Sequence, residues 1–165
     1  MEDFISTATR FINTTSSHIF LTGKAGTGKT TFLKNIGDIT HKNYIVLAPT
    51  GIAALNAGGV TIHSFFQLPF GPQIPAGYAG EGSARETTPR MEASKYHKLS
   101  REKINIIKSI DLLVIDEISM VRADTLDAVD SALRRYKNRY LPFGGVQLLM
   151  IGDLQQLAPV VKDDD

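Results

Sequence analysis

The run Gly23-Lys24-Ala25-Gly26-Thr27-Gly28-Lys29-Thr30-Thr31 constrains what this chain can fold into more than any other stretch of it. It comes directly after the apolar segment His18-Ile19-Phe20-Leu21-Thr22 and fits the spacing G-x-x-x-x-G-K-[ST]. Glycines this close together would weaken an ordinary helix or strand, so the run is a turn. Between a buried strand and a helix, such a turn curls successive backbone N–H groups around an anion and aims the positive end of the helix at it. The stretch is built to hold phosphate. Gly23, Gly26, Thr27, Gly28, Lys29, Thr30 and Thr31 are therefore the nucleotide-binding candidates, with Lys29 for the β- and γ-phosphates and the Thr30 hydroxyl for Mg²⁺.

The rest of the chain supplies the sheet that this turn requires. Ile19 to Thr22, Tyr44 to Ala48, Leu112 to Ile115 and Val146 to Ile151 are short aliphatic runs with little alternation, the pattern of strands buried on both faces of a parallel sheet. Helical stretches lie at Lys29 to Ile36, Gly51 to Ala57, Arg101 to Lys108 and Ala123 to Arg139, and residues 3 to 13 precede the first strand as an amphipathic helix carrying Phe4, Ala8, Phe11 and Ile12. That order predicts an α/β fold, a mostly parallel sheet with helices on both faces and right-handed crossovers. Within the last helix Asp130 and Arg134 form an i,i+4 pair on a solvated face, and no chemistry is assigned to it. From Pro69 to Lys98 glycine, proline and small polar residues displace any apolar period, so residues 69–98 read as a long loop insert, either an arm over a ligand or simple disorder.

At 165 residues with a hydrophobic fraction of 42%, one domain is expected. Eighteen Lys and Arg against seventeen Asp and Glu leave a net charge of +1, so binding to nucleic acid has to be local rather than driven by a global field. There is no cysteine, which excludes disulfides and thiol catalysis and is compatible with a reducing cytoplasm. No stretch approaches the ~20 apolar residues of a membrane span, and the N-terminus lacks the apolar core of a signal peptide. The reading is cytoplasmic, with no membrane partner.

A nucleoside triphosphate site needs a carboxylate for its metal and, for hydrolysis, a group that orients or deprotonates water. Leu112-Leu113-Val114-Ile115-Asp116-Glu117 supplies both at the carboxyl end of a buried strand, where ligands of open α/β sheets bind. Asp116 is the candidate Mg²⁺ ligand and Glu117 the candidate base. Alone, an Asp-Glu pair would more often be a solvated turn; the strand before it and the upstream phosphate loop reverse that preference.

Four segments together resemble a known family. GKAGTGKT, then APTGIAALNAGGVTIHSFF from Ala48, VIDEISMV from Val114 and PFGGVQLLMIGDLQQLAPV from Pro142 are similar to motifs I, Ia, II and III, in order, of superfamily-one DNA helicases, and most of all to the Pif (petite integration frequency) branch, relatives of RecD. The resemblance implies a RecA-like P-loop NTPase domain, the first of two motor domains, that uses ATP and Mg²⁺ to move 5′ to 3′ along single-stranded DNA, in work such as DNA repair, recombination and telomere maintenance. It also implies that Gln156, in GDLQQL, senses the γ-phosphate; the residues themselves agree, since Gly152-Asp153 ends a buried strand and brings an amide within reach of the same cleft, with Gln155 and Gln156 as ordinary loop residues the plain alternative. The second RecA-like domain of the same full-length chain, with its arginine fingers, would lie outside these residues, and the 165 residues alone are then expected to bind nucleotide, hydrolyse it poorly and unwind nothing. The glutamine motif that reads adenine in the family is not evident in MEDFISTATRFINTTSSH.

For DNA the candidates are Pro49, Thr50, Gly51, Thr61, His63, Ser64 and Phe65, which bring hydroxyls and backbone amides for phosphates and an aromatic ring for bases. The plain alternatives stay open: Phe65 and Phe66 as core residues, His63 as a structural histidine, and His18, His41 and His97 as structural or surface residues. Other function classes are a P-loop ATPase acting as a switch or on a non-DNA substrate, and a nucleotide-binding module without turnover.

Overall fold

A computed structural model gives the fold and describes residues 4–24, 26, 28–71, 99–155, 158 and 159. The five strands are β1 (Ile19–Thr22), β2 (Tyr44–Ala48), β3 (Val60–Thr61), β4 (Leu112–Ile115) and β5 (Gln147–Gly152). They form one sheet in the order β1-β5-β4-β2-β3, every pairing parallel. The helices are α1 (Phe4–Thr14), α2 (Lys29–Lys34), α3 (Ile36–Ile39), α4 (Gly51–Ala57), α5 (Ile62–Phe66), α6 (Arg101–Ser109) and α7 (Ala123–Tyr136). The α/β expectation and the parallel sheet hold.

Side chains alternate across a strand, so adjacent residues of β4 go to opposite helical layers. Leu113 and Ile115 join Leu47, Leu148 and the apolar faces of α5, α6 and α7 in one core. Leu112 and Val114 join Val46, Leu149 and Ile151 under α1, α2, α3 and α4 in the other. All four residues of β4 are fully buried, which explains its unbroken aliphatic run. β1 departs from the expectation of burial on both faces. It is an edge of the sheet, hydrogen-bonded only to β5; Ile19 and Leu21 pack inward while Phe20 is 39% exposed.

Three other local expectations are corrected. The helix predicted over Lys29 to Ile36 stops at Lys34; Asn35 leaves helical geometry and α3 restarts from it. Residues Val60–Thr61 form an unforeseen edge strand beside β2, and α7 ends at Tyr136 rather than Arg139. In α1 only Ala8 and Ile12 are buried, and Phe4 stands in solvent. The Asp130–Arg134 pair forms at 2.7 Å, and the other oxygen of Asp130 also accepts the Phe143 N–H, tying α7 to the turn before β5. Within the insert 69–98, residues 72–98 lie outside the described ones.

A polar knot closes the amino-terminal end of the sheet. The Gln147 amide donates to the Ser17 carbonyl at 2.8 Å and accepts from the Lys42 ammonium at 2.8 Å, and Lys42 also donates to Thr15. Thr40 donates to Asn13, whose amide reaches Ile39. Buried Gln147 thus fastens the end of α1 and the starts of β1 and β2 to β5 with its own polar atoms satisfied.

Candidate functional site

The strand register sets the site. Thr22 lies opposite Gly152, Ile115 opposite both Leu47 and Met150, and Ala48 opposite Thr61. The carboxyl ends of all five strands therefore share one rim, and the segments leaving them are Gly23 onward, Asp153, Asp116-Glu117, Pro49-Thr50 and Ile62-His63. Four motifs far apart in sequence meet because parallel strands deliver every one of their exits to the same edge.

At the phosphate loop Gly26 and Gly28 have φ of 82° and 87°, a region that costs a side-chain-bearing residue about 1–2 kcal/mol. A Cβ at either position would meet no atom within 4 Å, so the loop leaves open space in front of its backbone. No side chain caps the start of α2, where Lys29, Thr30 and Thr31 begin the helix. The Lys29 ammonium folds back onto the carbonyls of Gly23 and Lys24. Open space, positive-φ glycines, an uncapped helix start and a poised ammonium fit a phosphate chain. Thr27 lies outside the described residues.

Asp116 and Glu117 leave β4 beside this loop. The Asp116 N–H donates to Leu47 across the sheet, and its carboxylate accepts the Glu117 N–H at 3.0 Å. Burial raises the pKa of Asp116, opposed by that hydrogen bond and by the charge of Lys29. Burial likewise raises Glu117, reinforced by the negative charge of Asp116 and to a smaller degree Asp153, with Lys29 pulling the other way. A carboxylate in such surroundings is a better proton acceptor than one in water. Glu117 sits at φ 51°, ψ 46°, a left-handed conformation that is strained for a residue with a side chain. The 3₁₀ turn Ile118–Met120 holds it there, and that turn rests on Gly152, where a Cβ would come within 2.9 Å of the Ile118 side chain. Only glycine lets β5 pass so close. Asp153, buried at the end of β5 and felt by Glu117, was not singled out in the sequence, although GDLQQL was. Gln156 lies outside the described residues. Among the described residues no three His, Cys, Asp or Glu side chains gather as a metal cage.

The other half of the rim carries the DNA candidates. Thr50 caps α4 by accepting the Ala53 N–H, and Thr61 caps α5 by accepting the Ser64 N–H, both at 3.2 Å. Capping uses one lone pair and leaves each hydroxyl proton able to donate outward. Thr50, Gly51 and Ser64 are exposed, and Pro49, Thr61 and His63 are half-buried. Phe65 is corrected: it is 5% exposed and packs edge-on against Phe66 in the core, so its ring has no face for a base. The one-turn helix α5 turns both phenylalanines inward. His63 instead stacks on Phe70, a residue that the sequence reading left inside the insert. Among the described residues no helix is long and apolar enough to cross a membrane.

The family model for PIF1-like helicases matches residues 3–165. The chain belongs to the PIF1-like helicase family. Its relatives include the ATP-dependent DNA helicase PIF1 of Saccharomyces cerevisiae, 39% identical over 151 residues, which cover 88% of this chain and 16% of the yeast protein. The human PIF1 helicase is 38% identical over 146 residues, with 87% of this chain and 20% of the human protein covered. Among solved structures, Bacteroides Pif1 bound to single-stranded DNA superposes with a TM-score of 0.82 at 45% identity, over 99% of this chain and 34% of that one. Bacteroides Pif1 in complex with ADP-AlF4 gives 0.82 at 47% identity, over 97% and 34%. The chain thus spans about a third of the solved Pif1 chains and a fifth or less of the curated relatives. The five-stranded parallel sheet is the RecA-like fold that the motif order implied.

Proposed function

We propose that this chain is the first motor domain of an ATP-dependent 5′–3′ DNA helicase, binding Mg-ATP at the rim of β1, β4 and β5 and a single DNA strand along the rim of β2 and β3. The observation that supports it best is that common rim: the Asp116 N–H bonds Leu47 of β2, which puts the candidate hydrolytic pair next to the strand that leads into Pro49-Thr50. A change at the nucleotide can reach the DNA groove through one strand pair.

Bound Mg-ATP would supply the transferable γ-phosphoryl group and the metal that screens its charge. Lys29, which here bonds the Gly23 and Lys24 carbonyls, would turn its ammonium to the β- and γ-phosphates, and the loop amides and the start of α2 would hold the oxygens. The Thr30 hydroxyl and the Asp116 carboxylate would hold Mg²⁺. Glu117 accepts the proton of the attacking water, and Gln156 reports on the γ-phosphate. Thr50, Thr61 and Ser64 donate to DNA phosphates, with Pro49, Gly51 and His63 shaping the groove. Direction of movement and the second RecA-like domain rest on family likeness, and the absence of cysteine suits a cytoplasmic setting.

The test is steady-state ATP hydrolysis by the protein at its natural length, with and without a single-stranded oligonucleotide, using Lys29→Ala as the blank. Strong stimulation by DNA, lost in the variant, is expected. Turnover indifferent to DNA would favour a switch ATPase instead, and unchanged Mg-ATP affinity in Lys29→Ala would remove the phosphate assignment.

A further inference from the structure

Phe70 is the most exposed large apolar residue among the described ones, at 91%. Single exposed apolar residues are common and need no explanation. Three features set Phe70 apart from Phe4 or Tyr140. Its ring lies parallel to that of His63, with centroids 5.3 Å apart and planes inclined by 11°. It is held in place: Gln67 turns the chain at φ 53°, the Leu68 N–H returns to the His63 carbonyl at 3.0 Å, and buried Leu68 anchors the turn from beneath. Pro69, with its fixed φ, then presents the ring. Finally, His63 of the pair lies on α5, which begins at the rim where Thr61 lies opposite Ala48.

A positive charge reaches the residue after His63. The Lys103 side chain crosses from α6 and donates to the Ser64 carbonyl at 2.6 Å, which places its ammonium over the same helix. That group carries three N–H donors, and the Ser64 carbonyl takes one. An aromatic face stacked on one residue of α5, with an ammonium and a hydroxyl at the next residue, is the combination that grips single strands, a ring under a base with donors on the flanking phosphate.

We propose that the stacked His63–Phe70 pair is a base platform, with an unpaired nucleobase of single-stranded DNA continuing the stack on the outer face of Phe70 and Lys103 contacting the adjoining phosphate. The inference rests on the DNA-binding reading above and gives it the aromatic residue that buried Phe65 does not provide. Every base has a π-face, so the platform favours no sequence and suits a strand that slides.

The experiment measures the affinity of the natural-length protein for a short oligodeoxythymidylate across a salt series, for the wild type, Phe70→Leu, Phe70→Trp and Lys103→Met. Phe70→Leu should weaken binding about tenfold with an unchanged salt slope, because stacking releases no counterions. Phe70→Trp should restore it, whereas Lys103→Met should lower the salt slope by about one. Oligonucleotides in which single bases are removed in turn should include a position at which wild type and Phe70→Leu bind alike. Wild-type binding with no loss in a folded Phe70→Leu protein overturns the platform and leaves the DNA reading standing. A wild type that does not bind the oligonucleotide overturns both.

Discussion

Glu117 shows how one residue can carry opposite demands. Its backbone is strained, its carboxyl is partly buried and Asp116 stands beside it; each of these disfavours the charged form or the conformation, and all three persist at the same position. The consequence for stability has a definite sign. A carboxyl whose pKa is raised on folding keeps its proton to higher pH in the native state than in the unfolded one, so stability falls as pH rises through that interval. Below the ordinary carboxylate value of about 4, both states are protonated and the penalty vanishes. Glu117→Gln should therefore melt at a higher temperature than wild type at neutral pH, and its advantage should shrink to nothing as the pH drops below that value. Thermal scans of the two proteins over a pH series check this; a variant no more stable at neutral pH would mean that the carboxylate makes compensating contacts. The place of the pair at the end of β4 was legible because an apolar strand running into two acids is a local pattern. Phe65 and Phe70 were not legible in the same way. α5 spans too few residues for a helical period to reveal that both rings face inward, and the turn that presents Phe70 uses Gln67 at positive φ where glycine would have signalled it.

The secondary-structure elements were read best where burial is complete. β4 and β5 lie between two helical layers and announced themselves as aliphatic runs. β1 was placed correctly, but its pattern of burial was not, because an edge strand has a neighbour on only one side. β3 is two residues long, beneath the reach of any periodicity, and is defined by pairing with β2 rather than by its own side chains. The polar knot around Gln147 was equally invisible, since its partners are spread from residue 11 to residue 147. Its position gives a clean test of what holds the elements together as distinct from what they do. Gln147→Leu removes the bonds to Ser17 and Lys42 and leaves the Ser17 carbonyl and the Lys42 ammonium short of a partner, a cost of about 2 kcal/mol. The melting temperature should fall by about 6 °C. Nucleotide affinity should stay at the wild-type value, because Gln147 begins β5 while the phosphate loop and Asp153 stand at the opposite end of the sheet. A loss of Mg-ATP binding out of proportion to the loss of stability would mean that the two ends of the sheet are coupled.

At the scale of the whole molecule, β1 is a half-exposed edge strand and all five strands end on one rim, the surface at which a second body is proposed to work. The chain accounts for about a third of the solved Pif1 chains, and the groups that complete the cleft are proposed to come from the remaining part. What these residues are proposed to contribute on their own is a phosphate cradle, a carboxylate for the metal, a second for the attacking water and donors for a strand; among the described residues Lys29 is the cation felt by that carboxylate pair. Transition-state charge on a transferring phosphoryl group is met in such enzymes by an additional arginine, worth about 10³ to 10⁵ in rate. The two quantities separate cleanly in one comparison. The 165-residue chain should bind Mg-ATP, and Lys29→Ala should abolish that binding, yet its turnover should fall short of the natural-length protein by about that factor and show no stimulation by single-stranded DNA. Titration calorimetry gives the first and a coupled ATPase assay the second. Turnover by the short chain equal to that of the natural-length protein would mean that the cleft is complete as it stands and that the coupling to DNA lies wholly within β2, β3 and α5.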